Sequence, residues 1–336
     1  VDSLTHLVSG ALIGEAVAGK QLKKRAMLWG AFAQTIPDFD VVTNWWMPTA
    51  ESLLAHRGFT HSFLFVVLCT PFLAGFVKGV TRNNEMSLMR WMSLFGIEML
   101  THIVLDSLTA YGTALFFPFS HERISFNTIF VADPFYTIWL LLPAVLLLAL
   151  RSNHRWRKVY VIFGLTLSTM YIVYSAANKS KVNRVVKNEL HRQHITYSRY
   201  ITTPTPLNSW LWYMIAESNS GFYLGYHSVF DSRDSTGYHF FPRNDSLIAG
   251  LENDRELGCL LKFSQGFYSI SEVNDTLQFN DLRFGQILGW YDPKGPFVFH
   301  YYLKEGADNS TVVQRGRMAD IEGGAFSSLV KRIKGN

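Results

Sequence analysis

Residues 88–106 read LMRWMSLFGIEMLTHIVLD, a helical pattern that is apolar apart from Arg90, Glu98, His102 and Asp106. Its length approaches the roughly 20 residues that cross a bilayer. Ionisable side chains in such a run are costly in lipid unless they face a protein interior or a polar cavity. His102 and Asp106 are four apart, so they leave one helix face a turn apart and can reach a common ion. Glu98 lies one turn deeper on that face and is placed to hydrogen-bond His102 as a supporting carboxylate. The stretch predicts a membrane helix that carries a polar site.

Further apolar runs flank it. The chain has 336 residues, 48% hydrophobic, 15% aromatic and only 17% charged, an apolar excess over ordinary soluble proteins. Segments 135–150 and 159–177 carry no charge, and 63–77 is a third such run. Six apolar segments can be laid out, at about 4–19, 26–36, 62–80, 88–106, 134–150 and 159–177, the first two short for complete spans. The predicted fold is an α-helical membrane domain of about six apolar helices over residues 1–177, followed by a soluble α+β domain over 178–336. In the latter, stretches such as 221–230, 260–270 and 296–303 read as strands between Gly, Asn and Asp turns.

Basic residues fix an orientation. Lys20, Lys23, Lys24 and Arg25, then Lys78, Arg82 and Arg90, then Arg151, Arg155, Arg157 and Lys158 fall in alternate loops, whereas 37–61 and 107–133 contain only Arg57 and Arg123. The excess of Lys and Arg in cytoplasmic loops then places the N-terminus and residues 178–336 on the extracytoplasmic side of the membrane. The first segment lacks a basic flank and reads as a retained helix. His6, Asp38, Asp40, His56, His61, His102, Asp106 and Asp133 all fall at extracytoplasmic helix ends or loops.

These are metal-ligand residue types. Imidazole and carboxylate together suit a divalent ion, zinc first and manganese or iron as alternatives, with one or two ions. In 56–62, HRGFTHS, the two histidines would splay by about 140° on a continuous helix, but Gly58 allows a turn that aims both at one site. Arg57 is then free to hold an anionic group of a substrate. Asp38 and Asp40 follow Pro37, and in an extended segment residues two apart point the same way, toward one metal pair; a solvated acidic turn is the alternative. His6 is either a ligand or merely interfacial. Asp133, ahead of Pro134, is either a ligand or a helix N-cap. His121 is a candidate for substrate contact.

Other chemistries lack support. Cys69 and Cys259 make no disulfide framework or cysteine metal site. The net charge of +5 is spread over both halves, with no nucleic-acid signature. No Gly-x-Ser-x-Gly elbow, phosphate-binding loop, dinucleotide fingerprint or HExxH occurs, so water must be the nucleophile if the chain is a hydrolase.

Taken together, DSLTHLVSGALIGEA, AFAQTIPDFDVV, HRGFTHS, LTHIVLDSLTAYGT, LFFPFS and Asp133-Pro134 resemble the YdjM-like (YbcI-like) bacterial inner-membrane metal-dependent hydrolases over about residues 2–140. The resemblance implies a hydrolase site built from His6, Asp38, Asp40, His56, His61, His102 and Asp106. The expectation is a metal-dependent enzyme acting on a phosphoester, lipid-linked or amphipathic substrate at the outer membrane face, with Asp40 or Asp106 as general base. The alternative is a non-enzymatic membrane protein with a structural metal and an outer domain that binds a partner or senses the envelope.

Overall fold

The computed structural model describes residues 1–81, 85–232, 236–251, 253–303 and 324–335, so Arg82 of the second basic loop lies outside the described residues. Each apolar segment is helical. They form α1 (Ser3–Leu22), α2 (Arg25–Thr35), α4 (Phe63–Thr81), α5 (Leu88–Ser107), α6 (Pro134–Ala149) and α7 (Arg157–Arg192), with a short α3 (Thr49–Ala55) before α4. Local capping sets three of the starts: Asp2 accepts from the Thr5 N–H, Ser87 from that of Arg90, and Asp133 from those of Phe135 and Tyr136.

Six membrane helices exceed what the structure supports. Among the described residues three helices, α4, α5 and α7, are long and apolar enough to cross a membrane. α6 is apolar but has 16 residues and α2 has 11. α1 is 20 residues long but carries Thr5, His6, Ser9, Glu15 and Lys20, and much of its surface is buried in protein.

The chain divides into two compact units, one of Val1–Thr43, Ala55–Tyr174 and Pro206–Asn208, the other of Asn44–Leu54, Ser175–Thr205 and Ser209–Asn336. In the first, α1 and α2 form a hairpin closed by small residues. A Cβ on Gly10 would lie 2.5 Å from the Gly30 carbonyl oxygen, and one on Gly14 2.3 Å from that of Ala26. Glycine there lets two backbones touch, the usual device for packing helices that hydrocarbon cannot drive together. This hairpin packs on α5 and α4 through Ala26, Ala33, Val66, Trp91, Phe95 and Met99. On the other side Leu12, Leu140, Leu147 and Val161 join α1 to α6 and α7. Arg157 at the start of α7 makes a two-pronged pair with Glu15 at 2.7 and 2.8 Å. Glu15 is about 13 Å of helix rise from His6, so this pair ties the bundle away from the histidines.

The second unit is β-rich. Strands β1 (Arg199–Pro204), β2 (Leu211–Glu217), β3 (Gly221–Ser228) and β4 (Tyr238–Pro242) form an antiparallel sheet in chain order. β2 is buried on both faces because alternate residues meet different cores. Trp212, Met214 and Ala216 pack on Val182, Val186 and Leu190 of α7, and Tyr213 and Ile215 on Phe222, Phe267 and Leu282. β5 (Tyr268–Val273), β6 (Thr276–Asp281) and β7 (His300–Tyr302) form a second antiparallel sheet. The stretch 260–270 is no single strand: α8 (Arg255–Phe263) ends inside it before β5 begins. Asp254 caps α8, and Leu257, Leu260 and Phe263 recur at helical spacing on its buried face. α9 (Ala325–Ile333) follows near the C-terminus.

Candidate metal centre

The centre lies in the first unit, where α5 ends and α4 begins. His102, on the last turns of α5, is fully buried. Its Nδ1–H donates to the backbone carbonyl of Gln34 at 2.5 Å. That bond leaves the lone pair on Nε2, which faces inward. Nε2 of His61 approaches it at 3.1 Å. Oδ1 of Asp38 lies 3.4 Å from each of these nitrogens. Oδ2 of Asp106 lies 3.3 Å from His61 Nε2 and 3.5 Å from His102 Nε2.

These five edges match those of a tetrahedral ion. Ligand bonds of about 2.0–2.1 Å imply donor–donor edges of about 3.3–3.4 Å. Two imidazole nitrogens and two carboxylate oxygens are also a borderline donor set suited to zinc, manganese or iron. The residues present therefore fit a divalent metal. A second group, Asp38, Asp40 and His56, brings its donor atoms within 4.8 Å of one another and shares Asp38 with the first.

Asp38 and Asp40 are not in an extended segment. Residues Pro37–Trp45 form a 3₁₀ helix, and residues two apart on it splay by about 120°. Asp38 turns to His61 and His102, whereas Asp40 turns to the 56–61 loop. There Asp40 accepts from Nδ1–H of His56 at 2.8 Å, the Arg57 backbone N–H at 2.9 Å and the Thr60 hydroxyl at 2.8 Å. Nδ1 of His61 lies 3.2 Å away. Asp40 thus orients both histidines from behind, with its lone pairs already committed, which leaves it poorly placed to act as a general base.

The loop turns at Arg57, not at Gly58. Arg57 has φ 58° whereas Gly58 has φ −88°, so the left-handed residue is one that bears a side chain. Backbone cost at such a position is about 1–2 kcal/mol. It is offset by what the side chain does: Arg57 is 3% exposed, with Nε 3.1 Å from Asp106 Oδ2 and Nη1 donating to Thr109 Oγ1 at 2.8 Å. It also stacks on Tyr111 at 4.8 Å. Arg57 is accordingly a partner of Asp106, and the expected free arm for a substrate anion is absent at this position. Arg123 holds the loop from the other side, donating to the His56 carbonyl at 2.7 Å.

Four other sequence candidates, His6, Asp133, His121 and Glu98, fall outside both donor groups. His6 sits behind Asp106, its Nε2 3.1 Å from Oδ1, and stacks on His102 with ring centroids 3.8 Å apart. Asp133 is the N-cap of α6 and accepts the Tyr171 hydroxyl at 2.8 Å. His121 is exposed and meets Phe117 edge-on. Glu98 does not reach His102; the Gln34 amide, oriented to satisfy both groups, donates to Glu98 Oε2 and to its carbonyl at 2.7 Å. Gln34 is the residue that motif reading missed. Its signal was a buried amide near the end of a mostly apolar helix, four residues ahead of Asp38.

Charge at the centre follows from this packing. Burial opposes ionisation of Asp38 and Asp40, but His102 and His61 beside the first, and His56 and His61 beside the second, hold both carboxyls well below the usual range. Burial likewise opposes charge on His61, yet Asp106, Asp38 and Asp40 outweigh it and raise the imidazole to about 10. Desolvation prevails at His56, which is lowered despite Asp40. Clustered carboxylates around one nitrogen pair make a site that favours positive charge.

A polar donor cluster that could hold a metal ion, buried at the ends of apolar helices, marks the helical unit of a membrane protein. The chain belongs to the YdjM inner membrane protein family, whose model matches residues 1–182, a span that contains every candidate ligand. It is 30% identical over 122 residues to the inner membrane protein YbcI of Escherichia coli (strain K12), covering 36% of this chain and 69% of that one. It is also similar to the uncharacterized protein YfhP of Bacillus subtilis (strain 168), at 24% identity over 326 residues and 92% of each chain. No solved structure matches the chain.

Proposed function

We propose that the chain is a membrane-bound hydrolase that uses metal-activated water on a phosphoester or lipid-linked substrate at the outer face of the cytoplasmic membrane. The observation that carries this reading is the facing of His61 Nε2 and His102 Nε2 at 3.1 Å between Asp38 and Asp106. One or two ions, zinc first and manganese or iron as alternatives, would be held by Asp38, His61, His102 and Asp106, with Asp38 shared toward His56. When bound, such an ion lowers the pKa of a water toward neutrality and polarises the scissile oxygen.

The protein's own groups then divide the work. Gln34 and Asp40 fix the ring orientations of His102 and His61. His6 and Arg57 hold Asp106. His56, with Nδ1–H on Asp40, presents Nε2 as the proton acceptor, the arrangement of an imidazole base oriented by a carboxylate. His56 and Asp38 are the partly exposed members of the cluster, each with 28% of its side chain open, so substrate approaches on their side. The basic loops lie toward the cytoplasm, with α4, α5, α6 and α7 crossing and the α1–α2 hairpin entering and returning, and the centre and residues 178–336 lie outside.

One observation favours a second reading, a structural metal in a partner-binding or envelope-sensing protein. His61, His102 and Asp106 are fully buried, and a four-donor protein shell is typical of structural zinc. To separate the two, the full chain is purified into phospholipid nanodiscs, its metal measured, and release of phosphate or acyl product followed on lipid phosphomonoesters, phosphodiesters and esters. Turnover abolished by His56→Ala with the ion retained supports the hydrolase. Retained ion with no turnover on any of these substrates supports the structural reading.

A further inference from the structure

We infer that the phenylalanine turn at residues 115–119 is a lipid anchor that seats the donor cluster at the head-group boundary of the bilayer. The turn, LFFPF, lies in a stretch, 107–121, with no charged residue. Phe119 is 84% exposed and Phe116 53%, although neither belongs to a helix that could cross a membrane. Loops exposed to water rarely present aromatic rings this way, whereas amphipathic and aromatic residues gather where a span meets the interface.

The turn is fixed to a span and to the centre at once. The Phe63 N–H, at the first turn of α4, donates to the Leu115 carbonyl at 2.9 Å, and the Ala114 N–H donates to the Arg57 carbonyl at 3.0 Å. Rings of Phe63 and Phe116 lie 5.5 Å apart, and those of Phe59 and Phe117 6.1 Å. Phe39 and Phe59, each within two residues of a candidate ligand, are 54% and 45% exposed. Apolar rings therefore surround the polar centre at the level where α4 begins. The occupant that fits is bilayer lipid, its acyl chains against the rings and its head groups beside His56 and Asp38. An amphipathic substrate would then be presented without leaving the membrane.

This rests on α4 being a span, part of the topology proposed above but not of the hydrolytic reading. The test uses the full chain with Cys69→Ser and Cys259→Ser in phosphatidylethanolamine–phosphatidylglycerol vesicles. Phe119→Cys, Phe116→Cys, Phe72→Cys and Asn153→Cys are labelled singly with an environment-sensitive fluorophore. Phe72, 71% exposed midway along α4, reports the span, and Asn153 reports a loop in water. Labels at Phe119 and Phe116 are expected to lose about half their emission to a nitroxide near the lipid head group and to resist iodide. Iodide quenching of both as strong as at Asn153, with Phe72 quenched by a nitroxide near the acyl terminus, overturns the anchor and leaves the span standing. Iodide quenching at Phe72 as well overturns both.

Discussion

Nε2 of His61 and Nε2 of His102 face one another at 3.1 Å, and each ring is held from behind through its own Nδ1. Gln34 takes the Nδ1–H of His102, while Asp40 and Thr60 lie against Nδ1 of His61. Two lone pairs aimed at each other repel unless a cation or proton lies between them, so the supporting contacts define the centre as firmly as the ligands do.

His61→Ala and His102→Ala are each expected to reduce bound metal from about one ion per chain to a trace, because each removes a donor from the four-membered group. Metal analysis of detergent-purified protein checks this, with circular dichroism to confirm retained helix. Unchanged metal in both variants removes the assignment.

Asp40→Asn should weaken metal binding by about 10–100-fold through its effect on His56 and His61, the usual cost of losing an outer carboxylate. Asp38→Asn should cost more, since Asp38 supplies an oxygen directly. Competition against a chelator of known affinity ranks the two; equal or reversed losses would show that Asp40 is itself a ligand.

Arg57→Ala leaves Asp106 buried without its guanidinium, which is expected to cost about 3–5 kcal/mol of stability in metal-free protein. Arg57→Gly should be milder by about 1 kcal/mol, because φ 58° carries a penalty only when a Cβ is present. Thermal denaturation in detergent gives the order. Equal stability of the two variants would mean that the loop relaxes out of the left-handed conformation.

Gly30→Ala places a Cβ 2.1 Å from the Gly10 carbonyl oxygen and 2.7 Å from Glu98 Oε1. Forced separation of α1 from α2 should cost about 3 kcal/mol or more and, by moving Gln34, lower metal occupancy as well. Gly75→Ala on α4 meets nothing within 4 Å and should be neutral or slightly stabilising. Melting temperature and metal content, measured together, test both halves of this expectation.

In the second unit Asp231 takes two bonds from Arg332 of α9, at 2.7 and 3.0 Å, and one from the Ser228 N–H at 2.8 Å. Burial would raise its carboxyl, but Arg332 and the Ser228 N–H outweigh that and hold it below the ordinary aspartate value. A lowered folded value means that stability is complete above the unfolded pKa near 4 and is lost as pH falls through the folded one. Protection of the α9 amides, measured against their intrinsic exchange rates at each pH, is therefore expected to fall below about pH 4 in the wild type. Arg332→Ala should lower that protection already at neutral pH; wild-type protection unchanged below about pH 4 would rule out this clasp.

Much of the helical unit was legible because its signals are local. Apolar runs, the caps Asp2, Ser87 and Asp133, and the i, i+4 pair His102 and Asp106 need only neighbouring residues to be read. Spanning was harder to read, since α1 looked like a membrane segment while its Gly10 and Gly14 were there to press it against α2 inside the protein. Roles within the cluster were harder still. Asp38 and Asp40 look equivalent in sequence, and only the 3₁₀ turn sends one to His102 and the other to His56.

Local sequence was enough to read which apolar segments are helical, which side chains can bind a metal, and the family to which the chain belongs. Tertiary structure decided which nitrogen of each histidine faces the centre, that Arg57 serves Asp106, and that Gln34 stands behind His102 across 68 positions of chain. The physical reason is range: helix formation and capping are settled within a few residues, whereas a hydrogen-bond partner is settled by whichever distant group the packing of helices brings within about 3 Å.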